Sequence, residues 1–264
     1  MAPDEPPFTS LLYTEPRLYD RAFPAATVVP LCVEACRRWR ATPPRSTLDV
    51  GCGTGRHLAA LAATIPECWG VDLLPSNVAY AQATRPGLRI LQGDMRNVRL
   101  GRTFDLVTSF GNALSYALTD GDLRRTAETY AAHAHPGTLL VADALNARAY
   151  LQSGGFRERI EGRLDTPEFT ATSVAIHALD RAARRLTRTR TWTIPGRPPV
   201  EDHAEYRLLE PDELRALLER AGFAVRALHD NREFRPTNLA GAPTAGGDVG
   251  GMGGRKLYAV AQLG

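Results

Sequence analysis

The stretch Thr47-Leu48-Asp49-Val50-Gly51-Cys52-Gly53-Thr54-Gly55 constrains the fold more than any other. It reads as a short buried strand that runs into glycines and then into a helical pattern from Arg56 to Ala63. A strand ending in a Gly-x-Gly turn at a helix N-terminus brings bare backbone up against a ligand, because glycine has no Cβ to hold it off. An acid at the end of the next strand would take ribose hydroxyls. Asp72, in Trp69-Gly70-Val71-Asp72, stands there, close to the roughly 20-residue spacing of a nucleotide-binding βαβ unit.

Details of the loop separate two ligand classes. A dinucleotide fingerprint is G-x-G-x-x-G, whereas here the third glycine comes one position early, at Gly55, and Arg56 stands where the last glycine should be. The string Leu-Asp-Val-Gly-Cys-Gly-Thr-Gly resembles the first motif of class I S-adenosylmethionine-dependent methyltransferases. Asp72-Leu73-Leu74-Pro75-Ser76-Asn77-Val78 is similar to that family's Asp-x-Ser-x-x-Met-Leu, with Asn77 in place of the usual Met, and Gly93-Asp94-Met95 matches its Gly-Asp-Met.

The resemblance implies a doubly wound, Rossmann-like α/β fold: a seven-stranded sheet with its last strand antiparallel. It also implies S-adenosylmethionine as cofactor and S-adenosylhomocysteine as its product. Gly51, Cys52 and Gly53 would pass under the methionine part, Asp72 and Leu73 would meet the ribose, and Asn77 would sit beside the adenosine. Asp94 would accept from the adenine amino group and the Met95 backbone N–H would reach a ring nitrogen. Leu18-Tyr19-Asp20 looks like the N-terminal lid of small-molecule members, so Tyr19, with Tyr13 before it, is expected over cofactor and acceptor.

Size and charge narrow the partners. A chain of 264 residues with 44% hydrophobic and 23% charged residues fits one α/β domain with an insertion. The expected division of residues 1–264 is a helical lid (1–45), a cofactor-binding core (46–145), an inserted β lid (146–209) and the end of the core sheet with a Gly-rich loop (210–264). The net charge of +3 is not the concentrated basic stripe of a nucleic-acid reader, so no nucleic-acid partner is expected. Cys32, Cys36, Cys52 and Cys68 form no Cys-x-x-Cys pair, so no metal site is expected and a reducing cytoplasm fits. No apolar run approaches the ~18 residues of a membrane span, and the acidic, Pro-rich start lacks the features of a signal peptide. The partner expected is a small-molecule substrate, with room left for a homodimer.

Along the chain, period-3.6 apolar spacing predicts helices from about Ala26 to Arg40, from Pro75 to about Ala83, from Leu123 to Ala134 and from Glu210 to Ala221. Core strands are expected at Cys68–Leu73, Leu88–Met95, Thr103–Gly111, Thr138–Ala144, Phe223–His229 and Lys256–Gln262. Three further runs, Phe169–Leu179, Arg185–Ile194 and His203–Leu209, read as an antiparallel lid. The arginines from Arg181 to Arg190 read as a solvated hairpin, with an acidic-substrate role the alternative. His133 and His135 are expected to be structural, far from the cofactor. Asn238 to Gly254 is dense in glycine and reads as either a mobile cover or a surface loop.

Ligands of open α/β sheets sit beyond the carboxyl ends of the strands. Ser109 and Phe110 are therefore expected at the cofactor's reactive end, and Asn112, Ser115, Tyr116 and Asn146 around the acceptor. His203 and Arg207, in register with Glu205, would add one face of the third lid strand. Tyr19, Tyr116 and His203 are the catalytic candidates, with His203 able to take a proton. The layout most resembles N-methyltransferases of the glycine/sarcosine and amino-sugar type found in natural-product and antibiotic pathways. Amino-sugar members often carry a His after the fourth strand, where this chain has Ser115. Methyl transfer to a nitrogen of a small metabolite is the leading expectation. Transfer to oxygen and a non-methylating use of the cofactor are the alternatives.

Overall fold

The computed structural model describes residues 8–23, 27–152, 156–165, 170–232, 252 and 254–264. A short strand β1 (Phe8–Thr9) leads into helices α1 (Leu11–Thr14), α2 (Pro16–Ala22) and α3 (Val29–Trp39). The core follows as β2 (Ser46–Val50), α4 (Arg56–Leu61), β3 (Glu67–Asp72), α5 (Pro75–Thr84), β4 (Arg89–Gln92), β5 (Phe104–Ser109), a 3-10 turn (Ala113–Tyr116), α6 (Asp120–Ala132) and β6 (Ala134–Leu145). Then come α7 (Ala147–Leu151), β7 (Arg159–Asp165), β8 (Thr170–Asp180), β9 (Arg185–Thr193), β10 (Val200–Arg207), α8 (Pro211–Arg220), β11 (Phe223–His229) and β12 (Lys256–Leu263).

Seven strands form the core sheet in the order β11-β12-β6-β5-β2-β3-β4. β12 is antiparallel to both neighbours, and the strands from β6 to β4 are parallel. Parallel strands need cover on both faces. Leu31 and Cys32 of α3, Leu58 of α4 and Ala81 of α5 close one face; Leu123 and Tyr130 of α6 with Leu214 and Leu218 of α8 close the other. The run Leu139-Leu140-Val141 is wholly buried as a result. Each such side chain contributes roughly 1.5–3 kcal/mol by leaving water. The strand order reverses between β2 and β5, which opens a crevice at their carboxyl ends.

A second, antiparallel sheet runs β1-β10-β9-β8-β7. It holds the three lid strands expected from alternation and two more. β7 is an edge strand whose Arg159, Glu161, Arg163 and Asp165 hide its period-two pattern behind charge, and β1 supplies only two residues. The inward face of β10 carries Asp202, Ala204 and Tyr206, all buried. Asp202 Oδ1 accepts the Leu11 N–H at 2.6 Å and Oδ2 accepts Trp192 Nε1–H at 2.7 Å, so one carboxylate fastens the N-terminal lid to the sheet.

His203, Glu205 and Arg207 do share a face, but it is the outward one. His203 is exposed, Glu205 pairs with Arg185 at 2.8 Å, and Arg207 pairs with Asp120 at 3.0 Å and Glu213 at 2.7 Å. The expectation that this face lines the acceptor pocket is corrected by one step of strand parity: Arg207 instead lines a separate cavity with Asp120 and Glu213. His133 is buried, with Nδ1 at 2.8 Å from the Thr129 carbonyl and Nε2 accepting the Leu100 N–H at 2.9 Å. Residues 1–7, and the Gly-rich stretch apart from Met252 and Gly254, lie outside the described residues.

Candidate cofactor and acceptor site

The loop after β2 is shaped by its glycines. Gly51 has φ +79, and a Cβ there would lie 2.7 Å from the Cβ of Ala113, so a side chain fails on both backbone and space. Gly53 has φ +56, and a Cβ on it would meet nothing within 4 Å, so its bare backbone faces open room. The Gly53 N–H donates to Asp72 Oδ2 at 2.7 Å, while Leu74 N–H and Asn77 Nδ2–H donate to Oδ1 at 3.0 and 3.1 Å. Burial raises the Asp72 carboxyl, and these three donors oppose the rise. Its Oδ2 keeps a lone pair for a further donor.

This loop floors a cleft enclosing about 1030 Å³, counting the solvent at its mouth. Of the residues expected at the cofactor, Gly51, Cys52, Gly53, Asp72, Leu73, Asn77, Asp94, Met95 and Phe110 line it. Tyr13 and Tyr19 line it from the lid, and Tyr116 from the turn after β5. Asp94 is held by Arg96, whose Nε contacts both carboxylate oxygens at 2.9 Å. An adenine amino group would therefore share Asp94 with that guanidinium.

Several elements aim the lid tyrosines. Asp20 accepts from the Thr54 hydroxyl, from Tyr80 at 3.3 Å and from Arg85, which pins α2 across the glycine loop. Tyr19 stacks on Tyr13 and Phe23 at 6.0 and 5.1 Å, with the Arg56 guanidinium 5.0 Å over its ring. The Tyr13 and Tyr116 hydroxyls lie 3.4 Å apart, and Tyr116 donates to Tyr206 at 3.3 Å. Burial pushes the phenols of Tyr13, Tyr19 and Tyr116 up, so all three stay protonated at neutral pH.

The structure puts six expected residues elsewhere. Ser109 is wholly buried and donates to the Val50 carbonyl at 2.9 Å, tying β5 to β2. Ser115 is wholly buried and accepts the Leu145 N–H at 2.8 Å. Asn146 caps α7 through Arg148 N–H at 3.1 Å and donates to the carbonyls of Met252 and Gly254 at 2.6 and 2.7 Å. Asn112 takes the left-handed conformation, φ 69, and gives its N–H to Asp143 at 2.8 Å; the cleft is lined by its neighbours Gly111 and Ala113. His203 and Arg207 face outward, as described. Small polar residues at strand tips are as useful for closing turns as for binding, and sequence alone does not separate the two uses.

Arg56, His57 and Arg96 also line the cleft and were not singled out. Their signal was position: Arg56 and His57 open the helix after the glycine loop, and Arg96 follows Gly-Asp-Met. His57 meets Phe110 edge-on at 5.9 Å, and burial, with the Arg56 charge, pulls its imidazole down to about 4. Asp143, also missed, accepts from Gly111 and Asn112 N–H and from Lys256 at 2.8 Å, and so holds the turn that bears Tyr116. Among the described residues, no three His, Cys, Asp or Glu side chains are grouped to hold a metal, and no helix is long and apolar enough to cross a membrane.

Residues 47–137 match a family model described as a methyltransferase domain. A dTDP-3-amino-3,4,6-trideoxy-alpha-D-glucopyranose N,N-dimethyltransferase of Streptomyces venezuelae is 34% identical over 40% of this chain, and the match spans 45% of that protein, under half its length. A dTDP-4-amino-2,3,4,6-tetradeoxy-D-glucose N,N-dimethyltransferase of Saccharopolyspora spinosa is 29% identical over 72% of this chain and 76% of its own. An amino pentose methyltransferase of Micromonospora echinaspora, involved in calicheamicin biosynthesis and solved with S-adenosylmethionine bound, superposes with a TM-score of 0.71 at 23% identity, covering 97% of this chain and 99% of that one.

Proposed function

We propose that the protein, whose residues 47–137 match the model of a methyltransferase domain, transfers a methyl group from S-adenosylmethionine to the amino nitrogen of a small sugar-like metabolite in a natural-product pathway. The relatives named above, dimethyltransferases of dTDP-linked amino sugars, support the acceptor class. The open room over Gly53 and the spare lone pair on Asp72 fit the cofactor. Asp72 takes a ribose hydroxyl, the Gly51–Gly53 backbone lies along the methionine part, and Asp94 with Met95 reads the adenine. The bound sulfonium supplies an already activated methyl group.

The observation that carries nitrogen over oxygen is the chemistry of the acceptor end. It is walled by Tyr13, Tyr19, Phe110 and Tyr116, with one imidazole, His57, held near 4. Among the described lining residues there, none is poised near neutrality to strip a proton from an alcohol. A neutral amine needs no such base. The aromatic walls favour the positive charge present in the transfer, and the tyrosine hydroxyls orient the nucleophile. Aligning two reactants in this way accounts for much of the rate in a reaction whose donor is already activated. A cytoplasmic location and a homodimeric state belong to this reading. The four cysteines are unpaired, which suits a reducing compartment.

The test is incubation of the protein with S-adenosylmethionine and a panel of amino sugars and matched hydroxy sugars, with products read by mass. Gain of a methyl mass on the amines alone supports the reading; methylation of the hydroxy sugars alone moves the assignment to oxygen.

A further inference from the structure

The lid sheet ends on β7, and among the described residues nothing pairs with its far edge. Its pairing with β8 tells which backbone groups that edge carries. The Glu158 carbonyl accepts the His177 N–H at 2.7 Å, and the register runs unbroken from Arg159 opposite Ile176 to Asp165 opposite Thr170. Hydrogen-bonding direction alternates along a strand, so Ile160, Gly162 and Leu164 turn their backbone groups toward β8. Arg159, Glu161, Arg163 and Asp165 turn theirs outward, a row of free N–H and C=O groups. The side chains of these four are exposed, while Ile160 and Leu164 are half-buried on the other face.

Charge on an edge strand ordinarily keeps other strands away. Here the charges alternate in sign along the edge, and the order reversed is its own complement. About a two-fold axis at Gly162, an antiparallel second copy sets Arg159 opposite Asp165 and Glu161 opposite Arg163. These are the residues whose backbone groups face outward, so each opposed pair exchanges two hydrogen bonds, about eight in all. Gly162 meets itself at the closely spaced, non-hydrogen-bonded position, where the lack of a side chain lets the strands approach. Ile160 falls opposite Leu164. A slip of two residues either way sets arginine against arginine and carboxylate against carboxylate, which is destabilising. One register is thereby selected. Within one copy the charges form two exposed pairs, Arg159 with Glu161 at 3.0 Å and Arg163 with Asp165 at 2.8 Å. The second copy joins them into one network, which is worth more than isolated pairs.

We propose that β7 is a self-complementary contact through which two copies of this chain join their lid sheets into one continuous antiparallel sheet. It gives a surface to the homodimeric state proposed above and is independent of the methyl-transfer reading.

Sedimentation equilibrium of the full chain at about 50 mM and about 500 mM salt tests it. The wild type is expected to dimerise, and more weakly at high salt, where exposed charges are screened. Glu161→Arg sets like charges opposite each other and should weaken the dimer at least tenfold. Glu161→Arg/Arg163→Glu restores the complement and should recover it. Glu161→Pro removes an outward N–H without touching the β8 ladder, and should give the same loss with no cation added. Should the proline variant not fold, the charge reversal and its rescue carry the test. A dimer undiminished in folded Glu161→Arg, or unrecovered in the double variant, would overturn this surface and leave the homodimer to another one. A wild type that stays monomeric at both salts would overturn the surface and the homodimer together.

Discussion

The hydroxyl of Tyr116 donates to that of Tyr206 at 3.3 Å, which joins the turn after the fourth core strand to the inner face of the lid sheet. The rings lie 4.9 Å apart, so the contact is made by both edge and tip. Removing the Tyr206 hydroxyl should loosen the acceptor end and leave the cofactor end alone. For Tyr206→Phe, steady-state kinetics should show a rise of about 3- to 10-fold in acceptor KM, equivalent to roughly 0.5–1.5 kcal/mol for one hydrogen bond, with S-adenosylhomocysteine affinity unchanged. A parallel loss of cofactor affinity would place Tyr206 in the general stability of the fold.

Gly51 carries a sharper prediction. Gly51→Ala must strain a backbone at φ +79 and push against Ala113 at 2.7 Å. The turn beyond Ala113 bears Tyr116, so the damage spreads from the cofactor loop to the acceptor wall. The expected cost is ~1–3 kcal/mol of stability by denaturant unfolding, together with loss of methyl transfer. Wild-type activity in Gly51→Ala would mean that the loop has another resting shape.

Asp49 is buried in the central strand, 2.8 Å from the Thr108 hydroxyl, and burial raises its carboxyl to about 7. In the unfolded chain it titrates near ~3.9. The folded state therefore binds the proton more tightly. This contribution to stability is complete below ~3.9 and is lost as pH rises through about 7. Asp49→Asn keeps an acceptor for Thr108 and removes the titration. Unfolding measured at pH 5 and pH 8 should show wild type losing stability across that interval, and the variant gaining ~1–4 kcal/mol over wild type at pH 8.

The pH dependence of turnover follows from the groups around the cleft. His57, held at about 4, is neutral throughout the working range, and the lid tyrosines are pushed above their ordinary values. The rate constant kcat/KM should rise with pH as the acceptor amine loses its proton, then stay flat to about pH 9, with no descending limb from a tyrosine. A limb that tracks a group of the enzyme between pH 6 and 8 for all acceptors would point to a base and to oxygen chemistry.

The core was legible because its signals are local. β6 carries the apolar run Leu139–Ala142, β2 runs directly into Gly51 and β3 ends in Asp72, and the glycines from Gly51 to Gly55 mark the turn that leaves bare backbone facing the cleft. Asp72, Asp94 and Met95 follow from strand tips and reach the cleft as expected. The lid was less legible. Alternation on β10 gives the right period, but a period-two pattern does not say which of its two faces turns inward, and His203 and Arg207 lie on the outer one. The inward polar residue is Asp202, whose charge is absorbed by Leu11 and Trp192, partners far away in sequence. Ser109, Ser115 and Asn146 bond to the backbone rather than line the cleft for a related reason: buried hydroxyls and amides at strand ends serve the backbone as readily as a ligand. Arg188 and Arg190 show the reverse case: expected in a solvated hairpin, they are half-buried and stacked on Tyr206 and Trp192.

The central claim is that the crevice built by Gly53 and Asp72 holds S-adenosylmethionine. Calorimetric titration of S-adenosylhomocysteine into wild type and Asp72→Ala tests it most directly. The account predicts micromolar binding to wild type and a loss of about 100-fold or more in a variant that still folds, as the charge-assisted bond to a ribose hydroxyl and the bond that holds the Gly53 N–H disappear together. No binding to wild type, or undiminished binding to folded Asp72→Ala, would contradict it.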